Sequence, residues 1–280
     1  MTRAMKSEMK SDRNPQAEQM AHESMVRTLA AQAEAIWPQE RPLFASYALP
    51  ERARILDVGC GTGEIVLRLA RELAHATLVG IDVHEPHLAL ARERAQAFGK
   101  RLDFRRGDAF ALDFPDHSFD LTLCRHMLQA VPEPERVLAE MKRVTRRGGR
   151  LHVVAEDYGM IHCHPCAVDG DRFWREGPIT LGARTGTDLY CGRRAYAWLC
   201  ALGLTDIRVD YAVIDTVRVE RAVLIGIFAA WRDGYTEVIA AHSTLSEHEV
   251  RASFDAIIAA FADPRAYGVW LLPILSARVP

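Results

Sequence analysis

From Arg54 onward the chain alternates short, dense apolar runs with stretches whose apolar positions recur at helical spacing. The runs predict strands over Arg54 to Val58, Thr77 to Asp82, Leu102 to Arg106, Phe119 to Cys124 and Arg150 to Glu156. Helical spacing between them covers Glu64 to Ala74, Pro86 to Phe98 and Glu133 to Thr145, and Gly148-Gly149 is expected to turn the last of these into the fifth strand. Repetition of strand, turn and helix builds a parallel sheet with helices on both faces. Strands covered on both faces need apolar side chains at every position, which is what the unbroken runs supply.

The ends of the chain read differently. Residues 1–14 are polar and lack a period, so they are expected to fray; the apolar residues from Ala17 to Trp37 recur at helical spacing until Pro38 stops them. After Tyr158 the alternation lapses for about thirty residues. A helix follows over Arg193 to Leu202, then a strand over Thr205 to Ile214. Two helices come next, Val219 to Ala241 and Glu247 to Phe261, the second opened by Ser246 and Glu249 as a capping box. Tyr267 to Ala277 closes the chain as a strand, with Pro273 expected at its end or at a bulge, because proline cannot donate to a ladder. The organisation is a leader (1–16), a helical cap (17–50) and a main domain (51–280) carrying a substrate loop (159–192) and a helical lid insertion (217–266).

Composition narrows the function. Of 280 residues, 49% are hydrophobic, and 35 basic against 37 acidic residues leave a net charge of −2, which lacks the basic footprint of a nucleic-acid binder. Six cysteines are too few for a disulfide scaffold and read as free thiols in a reducing compartment. With no secretion-type apolar leader and no uncharged run long enough to span a bilayer, the protein is expected in the cytoplasm.

The candidate chemistry lies in Ile55-Leu56-Asp57-Val58-Gly59-Cys60-Gly61-Thr62-Gly63-Glu64, an apolar strand entering a glycine turn that opens a helix. Glycines let the backbone turn sharply and bring the donor N–H groups of a helix start close to a ligand, which implies a nucleotide cofactor. Asp82 ends the next strand 19 residues past Gly63, where a carboxylate can accept ribose hydroxyls, and Asp108 closes the third strand in the matching place. A dinucleotide fingerprint would need glycine at 64, where this chain has Glu64. Gly-x-Gly-x-Gly after Asp57, followed by Asp82 and Asp108, resembles the class I S-adenosylmethionine-dependent methyltransferases, with the type 11 small-molecule domain nearest in character.

That resemblance implies a Rossmann-like, seven-stranded, mostly parallel α/β sheet with an antiparallel last strand inserted beside the fifth, and S-adenosyl-L-methionine as cofactor. It implies that Asp57, Gly59, Cys60, Gly61 and Gly63 hold the amino-acid and ribose portions, with Asp82 on the ribose hydroxyls and Val83 against the adenine. Asp108, Ala109 and Phe110 would recognise the adenine edge, and Cys124 and Arg125 would meet the methionine part beneath the N-terminal cap helix. The expected reaction is methyl transfer to an oxygen or nitrogen of a small molecule, of secondary or quinone-type metabolism.

Ligands of open α/β sheets sit beyond the carboxyl ends of the strands. There the chain offers His126 and Gln129 after the fourth strand and Glu156, Asp157 and Tyr158 after the fifth, then His162 and His164. His126 is the first choice of base, with Asp157 and His162 as further catalytic candidates. Gln129, Tyr158, His164, Trp174, Trp231 and Tyr235 are candidates to surround the acceptor. His162-Cys163-His164-Pro165-Cys166 has metal-like spacing but no second ligand cluster, so no metal is expected. Three alternatives share parts of this pattern: a metalloid (arsenic) methyltransferase using Cys124, Cys163 and Cys166, a non-methylating cofactor-binding descendant, and an NAD-dependent oxidoreductase. A small-molecule acceptor is the expected partner, and an exchanging N-terminal arm leaves a homodimer open.

Overall fold

A computed structural model describes Pro15 and residues 23–280. The leader and the first turns of the expected cap helix, at 1–14 and 16–22, lie outside the described residues.

Five parallel strands form where the apolar runs lie: β1 (Arg54–Val58), β2 (Thr77–Asp82), β3 (Leu102–Arg106), β4 (Phe119–Arg125) and β5 (Thr145–Val154). The first three coincide with the expected spans. The fifth begins earlier, because the preceding helix stops at Val144 and Gly148-Gly149 lie inside the strand, with Gly148 at φ +74° bending it. Two further strands, β7 (Thr205–Asp215) and β8 (Tyr267–Arg278), and the short β6 (Ile161–His164) bring the sheet to eight strands in the order 3-2-1-4-5-8, with β6 and β7 both on β8. The last strand is antiparallel and lies beside β5, as expected.

Pro273 is neither at an end nor at a bulge. On one side β8 pairs first with β6 at 267–270 and then with β5 at 274–278, so residues 271–273 fall between two partners. A missing N–H there breaks no ladder on that side. The Pro273 carbonyl still accepts from Ala155 N at 3.1 Å.

Helices α1 (Glu23–Ser46), α2 (Glu64–Glu72) and α3 (Glu85–Ala95) cover one face of the sheet, and α4 (Pro134–Val144) and α7 (Cys191–Ala201) the other. The segment without a period is not a bare loop: it forms β6, α5 (Gly170–Glu176) and α6 (Pro178–Thr185). With α8 (Arg221–Ala241) and α9 (Glu247–Ala262), these pack a second apolar cluster over the ends of β6, β7 and β8. The capping box at Ser246 and Glu249 forms as expected.

Helix α1 runs through Pro38 and Pro42 instead of stopping. Interior proline removes a helix bond and costs about 3 kcal/mol. Here the continuation carries Phe44, and Tyr47 just past the helix end, into the apolar cluster on the sheet, and burial of two such side chains at roughly 1.5–3 kcal/mol each offsets that cost. No helix among the described residues is long and apolar enough to cross a membrane.

Candidate active site

Beyond β1, the turn Gly59-Cys60-Gly61-Thr62-Gly63 has all three glycines at positive φ. Gly59 and Cys60 both donate to the Ile81 carbonyl at 2.9 Å, which ties the turn to the end of β2. Asp82 completes the tie: its carboxylate accepts from Gly61 N at 2.8 Å and from His84 N at 2.9 Å. A Cβ on Gly61 would lie 2.8 Å from Leu29 of α1, and one on Gly59 3.1 Å from Met127. The cap helix therefore rests directly on the turn. Helix α2 starts at this turn with no side-chain cap, so its first N–H groups face the cavity unserved by a side chain.

That cavity is lined by Leu29, Gln32, Asp57, Gly59, Thr62, Arg125 and His126 among others. Burial pushes the Asp57 carboxyl up to about 7, opposed by the Arg125 guanidinium and reinforced by the charges of Asp82 and Glu40. Arg125 is itself partly buried, donating Nε to Glu40 of α1 at 2.8 Å, while its Nη2 has no partner among the described residues. Glu40 also accepts from His152 Nε2 at 2.8 Å, and its carboxyl sits at about 2: burial would raise it, but Arg125 and His152 together outweigh that. Its Oε1 takes both hydrogen bonds.

The residue after β4 carries the sharpest chemistry. His126 is held at φ +53°, a strained conformation for a residue with a Cβ. Its Nδ1 lies 2.6 Å from Glu156 Oε1, and both side chains are buried. A carboxylate acceptor fixes the proton on Nδ1, leaving the Nε2 lone pair open. That Nε2 has no partner among the described residues, nor have Glu156 Oε2 and Gln129 Oε1. Buried polar atoms left unmatched cost about 1–3 kcal/mol each, so three together mark a place prepared for a ligand.

A second cleft is walled by Gln129, Tyr158, Trp174, Leu181, Trp231, Tyr235 and Phe254 among others. Tyr158 stacks on Trp231 with centroids 5.5 Å apart and meets Trp174 edge-on at 5.6 Å. Burial and the nearby Glu156 carboxylate hold the Tyr158 and Tyr235 phenols well above their ordinary values, so both remain donors at neutral pH.

Five of the six acceptor candidates thus surround one cavity, whereas His164 is exposed on the β6 edge. Asp157 is turned away: its two oxygens accept from Arg193 at 2.6 and 2.7 Å and from Gly159 N at 3.0 Å, which anchors α7 and leaves it no role at His126. His162 lies half-exposed against Asp171 at 3.2 Å, outside both cavities. Val83 and Asp108 are exposed beyond β2 and β3, with Asp108 capping its own turn through Phe110 N at 2.9 Å and Ala109 half-buried between them. Cys60 and Cys124 are buried thiols raised by burial, and Cys124 packs in a different apolar cluster from Cys163 and Cys166, so these three do not converge on a metalloid. Glu40, His152, Leu29 and Gln32 went unforeseen; the apolar spacing Leu43, Phe44, Tyr47 beyond Pro38 was the signal that the helix carries on.

Residues 56–153 match the family model described as a methyltransferase domain. A phosphatidylethanolamine N-methyltransferase of Cereibacter sphaeroides is 39% identical over 112 residues, covering 39% of this chain and 54% of that protein. A demethylmenaquinone methyltransferase of Thermus thermophilus is 37% identical over 128 residues, covering 46% and 57%. The chain therefore spans about half the length of these relatives. Among solved structures, the 4+2 cyclase SpnF aligns with TM-score 0.54 and 25% identity over 86% of this chain and 80% of its own. A Haemonchus contortus phosphoethanolamine N-methyltransferase, solved with phosphomonomethylethanolamine and S-adenosylhomocysteine, shares the fold at TM-score 0.57 and 18% identity over 87% of this chain and 53% of its own.

Proposed function

Because residues 56–153 form a class I S-adenosylmethionine-dependent methyltransferase domain, we propose that the chain methylates an oxygen or nitrogen of a small molecule seated in the aromatic cavity. The observation that carries this reading is the buried His126–Glu156 pair: His126 lines the glycine-turn cleft with Nε2 open, and the Glu156 carboxylate acts on Tyr158 and Tyr235 of the aromatic one.

The residues suit the cofactor. The glycine turn leaves backbone donors exposed, and each Asp82 oxygen keeps a lone pair beside its backbone bond for a ribose hydroxyl. Asp57 and Arg125 face the same cavity with opposite charge, matching the ammonium and carboxylate of an amino-acid tail. S-adenosylmethionine, when bound, supplies an electrophilic methyl group on a sulfonium.

The chain's own part is positioning and proton removal. The aromatic walls hold the acceptor and exclude water, and well-oriented reactants gain up to roughly 7–11 kcal/mol in this way. His126 Nε2 takes the proton from the acceptor oxygen or nitrogen as its lone pair is committed to the new bond to carbon; Glu156 steadies the imidazolium that forms. The apolar, aromatic lining favours an acceptor with a flat or hydrophobic body and one polar end, and the quinone-related names among the relatives support a ring-bearing acceptor.

The test is transfer of a labelled methyl group from S-adenosylmethionine across a panel of phenols, quinols and amines. His126→Ala should lower kcat by about 10²–10⁴-fold while the cofactor Kd moves little. Tight cofactor binding with no transfer to any acceptor would refute the methylation reading.

A further inference from the structure

Three buried hydrogen-bond acceptors beyond β4 and β5 have no partner among the described residues: His126 Nε2, Glu156 Oε2 and Gln129 Oε1. Gln129 lines the aromatic cleft itself. The His126 ring lies 6.0 Å from Trp270, and Trp270 lies 5.3 Å edge-on to Trp231, a wall of that cleft. The Glu156 charge reaches two further walls, Tyr158 and Tyr235, whose phenols it helps to keep protonated. With the Nε2 lone pair open the imidazole is neutral, so the His126–Glu156 pair carries one net negative charge against this aromatic cluster. No arginine or lysine among the described residues lines the cleft to balance it.

A hydroxyl offers one hydrogen and no charge. It would leave two of the three acceptors unmatched and the carboxylate uncompensated in apolar surroundings, which is costly. A protonated amine offers two or three N–H donors and a positive charge, and the ring faces of Trp174, Trp231 and Tyr158 attract a cation.

We propose that the aromatic cleft selects an aliphatic primary or secondary amine, received as its ammonium ion, with Glu156 and Gln129 setting the preference for nitrogen over oxygen. The inference rests on the methylation reading above and narrows its acceptor class. One N–H proton passes to His126 Nε2, the freed lone pair forms the new bond from nitrogen to the methyl carbon, and the carbon–sulfur bond breaks with its electron pair left on sulfur. The proton then leaves to solvent, and the methylated nitrogen carries the positive charge.

Quenching of tryptophan fluorescence in the full chain without cofactor reads binding alone, and two matched pairs of probes isolate the head group: 2-phenylethylamine against 2-phenylethanol, and hexylamine against 1-hexanol. At neutral pH both amines are protonated. At least one amine should bind about 10- to 100-fold more tightly than its own alcohol, the range of a charged hydrogen bond. Glu156→Gln keeps the shape and removes the charge, and should bring that ratio to within about threefold. Gln129→Met should lower the ratio about three- to tenfold with the carboxylate intact, and it serves if the Glu156 variant does not fold. Binding of neither amine more tightly than its alcohol overturns the proposal, as does an amine preference that the folded variants leave unchanged. Labelled methyl transfer separates this inference from the reading beneath it. Transfer to an alcohol or phenol but to no amine overturns the amine preference and leaves methylation standing, whereas amine-selective binding with no transfer to any acceptor does the reverse.

Discussion

Asp57→Asn separates the cost of the site from its use. In the unfolded chain this carboxyl ionises near 3.8, and in the native state burial pushes it up to about 7. Below pH 3.8 both states are protonated, and the acid carries no charge penalty. Between those values the native state keeps a proton that the unfolded chain has lost, so stability falls as pH rises, by about 1.4 kcal/mol per unit. Above pH 7 both are ionised, and at most ~4 kcal/mol has gone. Asparagine has nearly the same shape and never ionises. The ligand-free variant should therefore match the parent near pH 4 and exceed it near pH 8.5 by up to ~4 kcal/mol, or roughly 8–16 °C in Tm for a chain of this size. Thermal unfolding without ligand at the two pH values is the assay. A Tm difference of the same size at both values, or a less stable variant at pH 8.5, would refute the reasoning. The gain should be matched by weaker S-adenosylmethionine binding, since the amide cannot answer a cationic ammonium.

Other consequences follow from the same contacts. Glu156→Gln should lower kcat about 10- to 100-fold in steady-state assays with little change in cofactor Kd, because His126 loses the partner that fixes its proton. Gly61→Ala places a side chain at φ +51° and 2.8 Å from Leu29; it should cost about 1–3 kcal/mol by denaturant unfolding, and Leu29→Ala should return part of that. Arg193→Met strands the buried Asp157 carboxylate and should destabilise by ~3 kcal/mol while the folded fraction retains its kcat, which distinguishes Asp157 from a catalytic group. Trp231→Ala opens the aromatic cavity, and its signature is a higher acceptor KM alongside a stability loss of about 3–5 kcal/mol.

What could be read along the chain was whatever depends on neighbouring residues. Strands β1 to β3 appear at their expected bounds because a strand covered on both faces needs an unbroken apolar run, and nothing distant changes that. The glycine turn, with Asp82 tied to it, is likewise local chemistry. The aromatic residues could be named as a set, since large flat side chains outside the strand pattern must pack somewhere. Tertiary structure decided which groups meet. Asp157 and Glu156 are adjacent, and only the end of β5 at Val154 and the position of Arg193 on α7 determine that Glu156 reaches His126 while Asp157 is locked away. Helix α1 passes Pro38 because the sheet rewards burial of Phe44 and Tyr47, and that continuation alone brings Glu40 to Arg125 across 85 residues of sequence. The segment after Tyr158 carries no period because its β6, α5 and α6 are each too short to show one; their order comes from packing on β8 and α9. Periodicity records which face of an element is buried, and it holds no record of the partner that buries it.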